Sequence, residues 1–166
     1  MKLMGAILVV VAGWWLGRLF AAPYRQRIKC LEQGLGLLEQ LRSEIGWHHR
    51  VLVEAFQRAS HSYPAYEPMA QSLFEQIAQH ESDFATAFQK ALYRVTGLWE
   101  SDRQIWSNLA QMLGKSSVDY ELEYLQQTRE ELARQLGEAR TQGSKTARML
   151  EVLVSLTGVA IVIVLI

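Results

Sequence analysis

Residues 116–166 read SSVDYELEYLQQTREELARQLGEARTQGSKTARMLEVLVSLTGVAIVIVLI, and the folding of this run decides the architecture of the whole chain. Ser116-Ser117-Val118-Asp119 has the S-x-x-D form of a capping box, which satisfies unpaired N–H groups at a helix start. Val118, Leu122, Leu125, Leu132, Leu136 and Ala139 then keep a seven-residue rhythm, interrupted by Arg129. Glu121, Glu123, Glu130, Glu131 and Glu138 take the other faces, and Glu130 to Arg134 is a favourable i,i+4 pair. No proline follows Ser117. The spacing predicts one long helix, with Gly143-Ser144 as a soft neck, running on into the apolar tail.

That tail carries no charge from Val152 onward. Its 15 residues would span about 22 Å as a helix, and more if Met149, Leu150 and Glu151 are counted with Glu151 at the interface. A buried strand is the competing reading, since Val and Ile dominate the last eight residues. A β-branched run that is apolar on every side needs a sheet around it, and no other segment reads as a strand. The expectation is a C-terminal membrane helix over 149–166.

The N-terminus, MKLMGAILVVVAGWWLGRLFAAPY, has a matching character. Residues 3–22 as one helix would be about 30 Å long, the thickness of a bilayer's hydrocarbon core. Arg18 lies one turn from the end, where its side chain can snorkel to the headgroups. Trp14, Trp15, Phe20 and Tyr24 cluster at the same end, as an aromatic belt does. A cleaved signal peptide fits less well, because Arg18 falls where a cleavage region is uncharged and no A-x-A pattern is present. An uncleaved anchor over 1–23 is expected. Arg18, Arg25, Arg27, Lys29, Arg140, Lys145 and Arg148 lie on the inner side of the two segments, and Lys2 alone on the outer side. The positive-inside rule therefore places residues 24–148 in the cytoplasm. The expected membrane-interface residues are Lys2, Trp14, Trp15, Arg18, Tyr24, Arg148 and Glu151.

Residues 24–148 hold 15 Lys+Arg against 16 Asp+Glu, which leaves no electrostatic footprint for nucleic acid. Cys30 is the only cysteine, so no intramolecular disulfide can form. Apolar residues Ile28, Leu31, Leu35, Leu38, Leu41 and Ile45 mark one face of a helix, with Pro23 at its first turn and Gly46 as a stop. Gly34 and Gly36 inside it each cost about 1 kcal/mol of helix propensity. Their GLG lacks the strand and third glycine of a nucleotide fingerprint. A second helix is expected over 51–61, a Pro-rich loop over 62–68, and a third helix from Pro68 to His80. Ser82 would cap a fourth, over 83–99, and Asp102 a fifth, ending at Gly114. The fold class is all-α: a cytoplasmic bundle of about six helices between an N-terminal and a C-terminal transmembrane helix.

Chemistry-bearing motifs are scarce. Glu44, His48 and His49 suggest a metal site, but Gly46 is expected to end the helix between the first two. His80-Glu81 begins an HExxH pattern that fails at Phe84. Neither a P-loop, nor G-x-S-x-G, nor C-x-x-C occurs. Trp47, Trp99 and Trp106 read as core or interface residues. No cofactor is expected, and a membrane-anchored enzyme using Glu44, His48 and His49 is the alternative to a non-catalytic role.

EIGWHHRVLVEAF, residues 44–56, matches without gaps the pattern Glu-Ile-x-aromatic-x-x-x-Pro-Leu-x-Glu-Ala-Leu/Phe. Glu44, Ile45, Trp47, Leu52, Glu54, Ala55 and Phe56 agree, while Val51 replaces the proline. LGKSSVD, residues 113–119, follows a Leu-Gly-x-Ser-Asp turn at Leu113, Gly114 and Ser116, with Ser117 in place of Asp. In these motifs and in its two apolar ends the chain resembles the stage III sporulation protein AB family. The resemblance implies a fold similar to the cytoplasmic helical domain of the type II secretion F protein. It also implies a non-catalytic platform subunit of a secretion-like channel complex between mother cell and forespore, on the mother-cell side in the outer forespore membrane. The implied partners are a secretion-type ATPase of the same operon, other sporulation channel membrane proteins and the lipid bilayer, with a homo-oligomer left open. The expected partner surface is the end far from the bilayer, at Trp47, His48, His49 and Arg50 or at Tyr63 and Tyr66.

Overall fold

A computed structural model describes the backbone of residues 2–48, 52–79, 83–113 and 118–165, with the side chains of 22–46, 52–79, 83–113, 118–145, Met149 and Val152. Six helices follow one another: α1 (Lys2–His48), α2 (Leu52–Ser60), α3 (Glu67–Ala78), α4 (Phe84–Leu92), α5 (Glu100–Met112) and α6 (Val118–Leu165). Among the described residues there is no strand, and the apolar tail is helical as far as Leu165. The chain divides into two compact units, one of residues 1–26 and 138–166, the other of Arg27–Gly137. Among the described residues no helix is long and apolar enough to cross a membrane. The apolar side chains expected to do so, those before Ala22 and those after Val152, lie outside the described residues.

The expected break between an anchor and a first bundle helix is absent. α1 passes through Pro23 and through Gly46. Pro23 removes one N–H from the ladder, a local cost that the 47-residue helix absorbs over its many other bonds. Its buried positions, Arg27, Cys30, Leu31, Gly34, Leu37, Leu38, Leu41 and Ile45, keep helical spacing. The buried stripe is thus rotated from the expected one, and Ile28 and Leu35 are only half-buried. On α6 the buried stripe runs from Leu125 to Ala139, with Val118 exposed and Leu122 half-buried: Thr128 fills the step between Leu125 and Leu132, while Arg129 turns outward to Glu39 at 3.3 Å.

Between these two helices α2, α3, α4 and α5 pack each against the next. α4 ends at Leu92, well short of Trp99, and Gly97 has φ 100°, a left-handed conformation that turns the chain back toward α5. Val95 and Leu98 stay buried in that turn, and Val95, three residues past Leu92, imitates a continuing helix. Asp83 is the N-cap residue of α4, and Ala87 donates to its carbonyl at 2.9 Å. Aromatic rings fill the centre of unit Arg27–Gly137. Phe56 meets Phe88 edge-on at 5.4 Å, Phe88 lies 6.3 Å from Trp106, and Trp106 lies 5.3 Å from Tyr66. All four side chains are fully buried, so this row carries a large share of the apolar burial that holds the short helices together.

Candidate functional site: a buried ion pair and its neighbours

One turn before Leu31, the inward face of α1 carries a charge. Arg27 is 2% exposed, and a buried cation persists only when paired and hydrogen-bonded. Its partner is Asp102 of α5, 0% exposed. Arg27 Nε donates to Asp102 Oδ2 at 2.8 Å and Nη2 donates to Oδ1 at 2.7 Å, a two-pronged pairing. Nη2 also reaches Gln135 Oε1 of α6 at 2.9 Å and Ser101 Oγ at 3.5 Å. The ring of Trp99 lies 4.3 Å from the guanidinium carbon, close enough for a cation–π contact.

Asp102 stands in the first turn of α5 rather than at the cap position expected for it, which Trp99 occupies. There it accepts the Trp99 backbone N–H at 3.0 Å, satisfying a donor that the helix start leaves open. A carboxylate in this turn is also favoured by the helix dipole. With three donors on its two oxygens, Asp102 is engaged as an anchor and is not set up as a base. The group orients α1, α5 and α6 about one point.

The next turn of α1 is built around an absence of bulk. A methyl group at Gly34 would meet Tyr66 Oη at 2.5 Å, Leu132 Cδ2 at 3.1 Å and Trp106 Cζ2 at 3.2 Å. Glycine therefore lets α3's cap residue, α5 and α6 close on α1. Tyr66 Oη donates to the Cys30 carbonyl at 3.3 Å and accepts from the Cys30 thiol at 3.8 Å. Burial pushes the Cys30 thiol up to about 11, with the hydrogen bond to Tyr66 acting in the opposite sense. Burial likewise raises the Tyr66 phenol well above its ordinary range. Neither group ionises at neutral pH.

The residues expected to meet a partner fall in different places. Tyr66 is 0% exposed and belongs to the core, so it presents no surface, because its ring is needed to fill the space over Gly34. Tyr63 is half-buried, with its ring over Gly36 of α1. Gln33 of α1 fixes the intervening loop by accepting the Ala65 N–H at 2.9 Å. The side chains of Trp47 and His48, and all of His49 and Arg50, lie outside the described residues. Because α1 continues to His48, Glu44 and His48 stand four residues apart on one helix instead of being separated at Gly46. Among the described residues no group of three His, Cys, Asp or Glu side chains is placed to hold a metal. Of the expected membrane-interface residues, Tyr24 is half-buried, and the side chains of Lys2, Trp14, Trp15, Arg18, Arg148 and Glu151 lie outside the described ones. Met149 and Val152, one turn apart on α6, are 65% and 53% exposed.

Sequence reasoning placed Arg27 among the inner-side cations and Asp102 at a cap, and so missed that they meet. The only sequence signal was positional. Arg27 precedes Leu31, Leu38, Leu41 and Ile45 at helical steps on the same stripe.

Comparison with known proteins agrees along the whole chain. The family described as "Stage III sporulation protein AB (spore_III_AB)" matches residues 2–166. The chain is also similar to stage III sporulation protein AB of Bacillus subtilis (strain 168), with 25% identity over 169 residues, covering 99% of each. No solved structure is a significant match.

Proposed function

Because the chain belongs to the stage III sporulation protein AB family, with a role in sporulation, we propose that it is a platform subunit of a channel complex between mother cell and forespore. Residues 1–23 and 149–166 anchor it in the membrane, and the helical bundle faces the mother-cell cytoplasm. There it couples a secretion-type ATPase of the same operon to the channel's membrane proteins. The subunit is a scaffold and not a catalyst.

The observation that carries this reading is the pair of long helices. α1 and α6, of 47 and 48 residues, each belong to both compact units, and Arg27 ties α1 through Asp102 and Gln135 to α5 and α6. Within the Arg27–Gly137 unit the buried ion pair holds α1 and α6 in one register.

Cysteine labelling of the chain expressed in growing cells, whose membrane faces the medium, tests the arrangement. With Cys30→Ser as background, a membrane-impermeant maleimide is expected to label Lys2→Cys and to leave Glu130→Cys unlabelled until the cells are opened. Release of the chain by an alkaline carbonate wash, or labelling in the opposite order, would overturn the membrane arrangement. Co-purification of the ATPase with the detergent-solubilised chain tests the coupling, and its failure under crosslinking would remove the platform role.

A further inference from the structure

Arg103 follows Asp102 directly, yet the two arginines that flank this carboxylate are treated differently. Arg27 spends its donors on four hydrogen bonds. Arg103 has one long ion-pair contact, 3.7 Å from Nη1 to the Glu100 carboxylate, itself 78% exposed. Its Nε is buried and has no hydrogen-bond acceptor among the described residues. A buried donor without an acceptor is unfavourable, so this guanidinium is the less satisfied of the two.

The side chain lines a cleft of about 150 Å³ between α4 and α5, together with Gln89, Tyr93, Glu100, Gln104 and Ser107. Tyr93 is 69% exposed, and its ring centroid lies 5.3 Å from the Arg103 guanidinium carbon. The contact restrains both side chains at the mouth of the cleft. Across the cleft Gln89 Nε2 donates to Ser107 Oγ at 2.8 Å, so the Ser107 hydroxyl proton is a second donor on the lining. Cofactor sites occupy about 300–1,000 Å³, and this volume is that of a single small group.

We propose that the cleft between α4 and α5 is a binding site for a carboxylate, which takes its hydrogen bonds from Arg103 and Ser107 over the Tyr93 ring. The carboxylate belongs either to an acidic side chain of a protein partner or to a free small acid. The inference goes beyond the platform reading and does not depend on it.

The test is a ¹⁵N titration of the full chain in mild detergent, following the Arg103 Nε–H signal, which is assigned by its loss in Arg103→Lys. The probes are glutarate, a capped peptide containing glutamate, the same peptide with glutamine, and chloride at matched ionic strength. A saturable shift with glutarate, or with the glutamate peptide, and none with the glutamine peptide or chloride is expected. A peptide-only response assigns the carboxylate to a protein partner, and a glutarate-only response to a small acid. Tyr93→Ala is expected to weaken the response roughly threefold to tenfold, and Tyr93→Phe to preserve it. No shift with either carboxylate overturns the proposal. So do equal shifts with glutamine peptide or chloride, and so do Gln89 and Ser107 amide shifts that persist unchanged in Arg103→Gln.

Discussion

Arg27 and Asp102, 75 residues apart in sequence, are joined at 2.8 and 2.7 Å with both side chains removed from solvent. The pair determines how α1 is rotated against α5. A helix stripe of leucines alone tolerates small rotations, whereas a two-pronged ion pair with a third acceptor on Gln135 does not.

Removing one member leaves the other charge buried and unmatched. Arg27→Ala and Asp102→Ala are each expected to lower stability by about 3–5 kcal/mol, read by urea denaturation of the full chain with far-UV circular dichroism. Arg27→Met combined with Asp102→Leu is expected to cost less than either single change, because no charge is stranded. Single variants that lose under about 1 kcal/mol would show that water reaches the pair.

The two glycines of GLG separate by what stands over them. Gly34→Ala would drive a methyl group into Tyr66, Trp106 and Leu132, all fully buried, and a loss of about 1–3 kcal/mol is expected. Gly36→Ala meets only the ring of half-buried Tyr63, which can swing outward. The gain in helix propensity of about 1 kcal/mol offsets that, so a near-neutral effect is expected. Thermal melts of the two variants side by side measure the contrast, and equal losses would refute it.

Raising the pH should weaken the fold through Cys30 and Tyr66. Both give up a proton more readily when unfolded, so the unfolded chain binds fewer protons than the native one above about pH 9. The contribution is fully present below that pH and is lost as pH rises toward about 11, where Cys30 also ionises in the native state. Cys30 alone accounts for a loss on the order of 2–3 kcal/mol. Denaturation midpoints from pH 8 to 10.5 are expected to fall, more steeply in the parent chain than in Cys30→Ser. A flat profile would contradict the burial of both groups.

Arg129 and Glu39 form an exposed pair at 3.3 Å, with side chains 45% and 59% accessible. A double-mutant cycle to alanine is expected to give a coupling of about 0.2–1 kcal/mol that declines with added salt. A coupling insensitive to salt would mean that the seam between α1 and α6 is drier than this exposure allows.

Helical period, turn residues and charge placement made most of the fold legible. The all-α class, the long last helix and the buried seats of Leu125, Leu132 and Leu136 follow from spacing that any isolated helix would share. The errors came where neighbours overrode a local signal. Pro23 and Gly46 read as boundaries, but they cost about 3 and about 1 kcal/mol, which a long packed helix outweighs. Residues 93–99 read as helix because Val95 continues the step of Phe88, Ala91 and Leu92, while Gly97 turns the chain just beyond it.

By itself the sequence determined which residues seek burial and where helices can start, since both depend on side-chain polarity and local backbone chemistry. Its two motifs and apolar ends also identified the family. Only the tertiary structure decided that Thr128 and not Arg129 completes the α6 stripe, that Tyr66 belongs to the core, and that Arg27 finds Asp102. Those outcomes depend on distances between segments far apart in the chain. A buried charge has a stable place only once its partner has been brought to it.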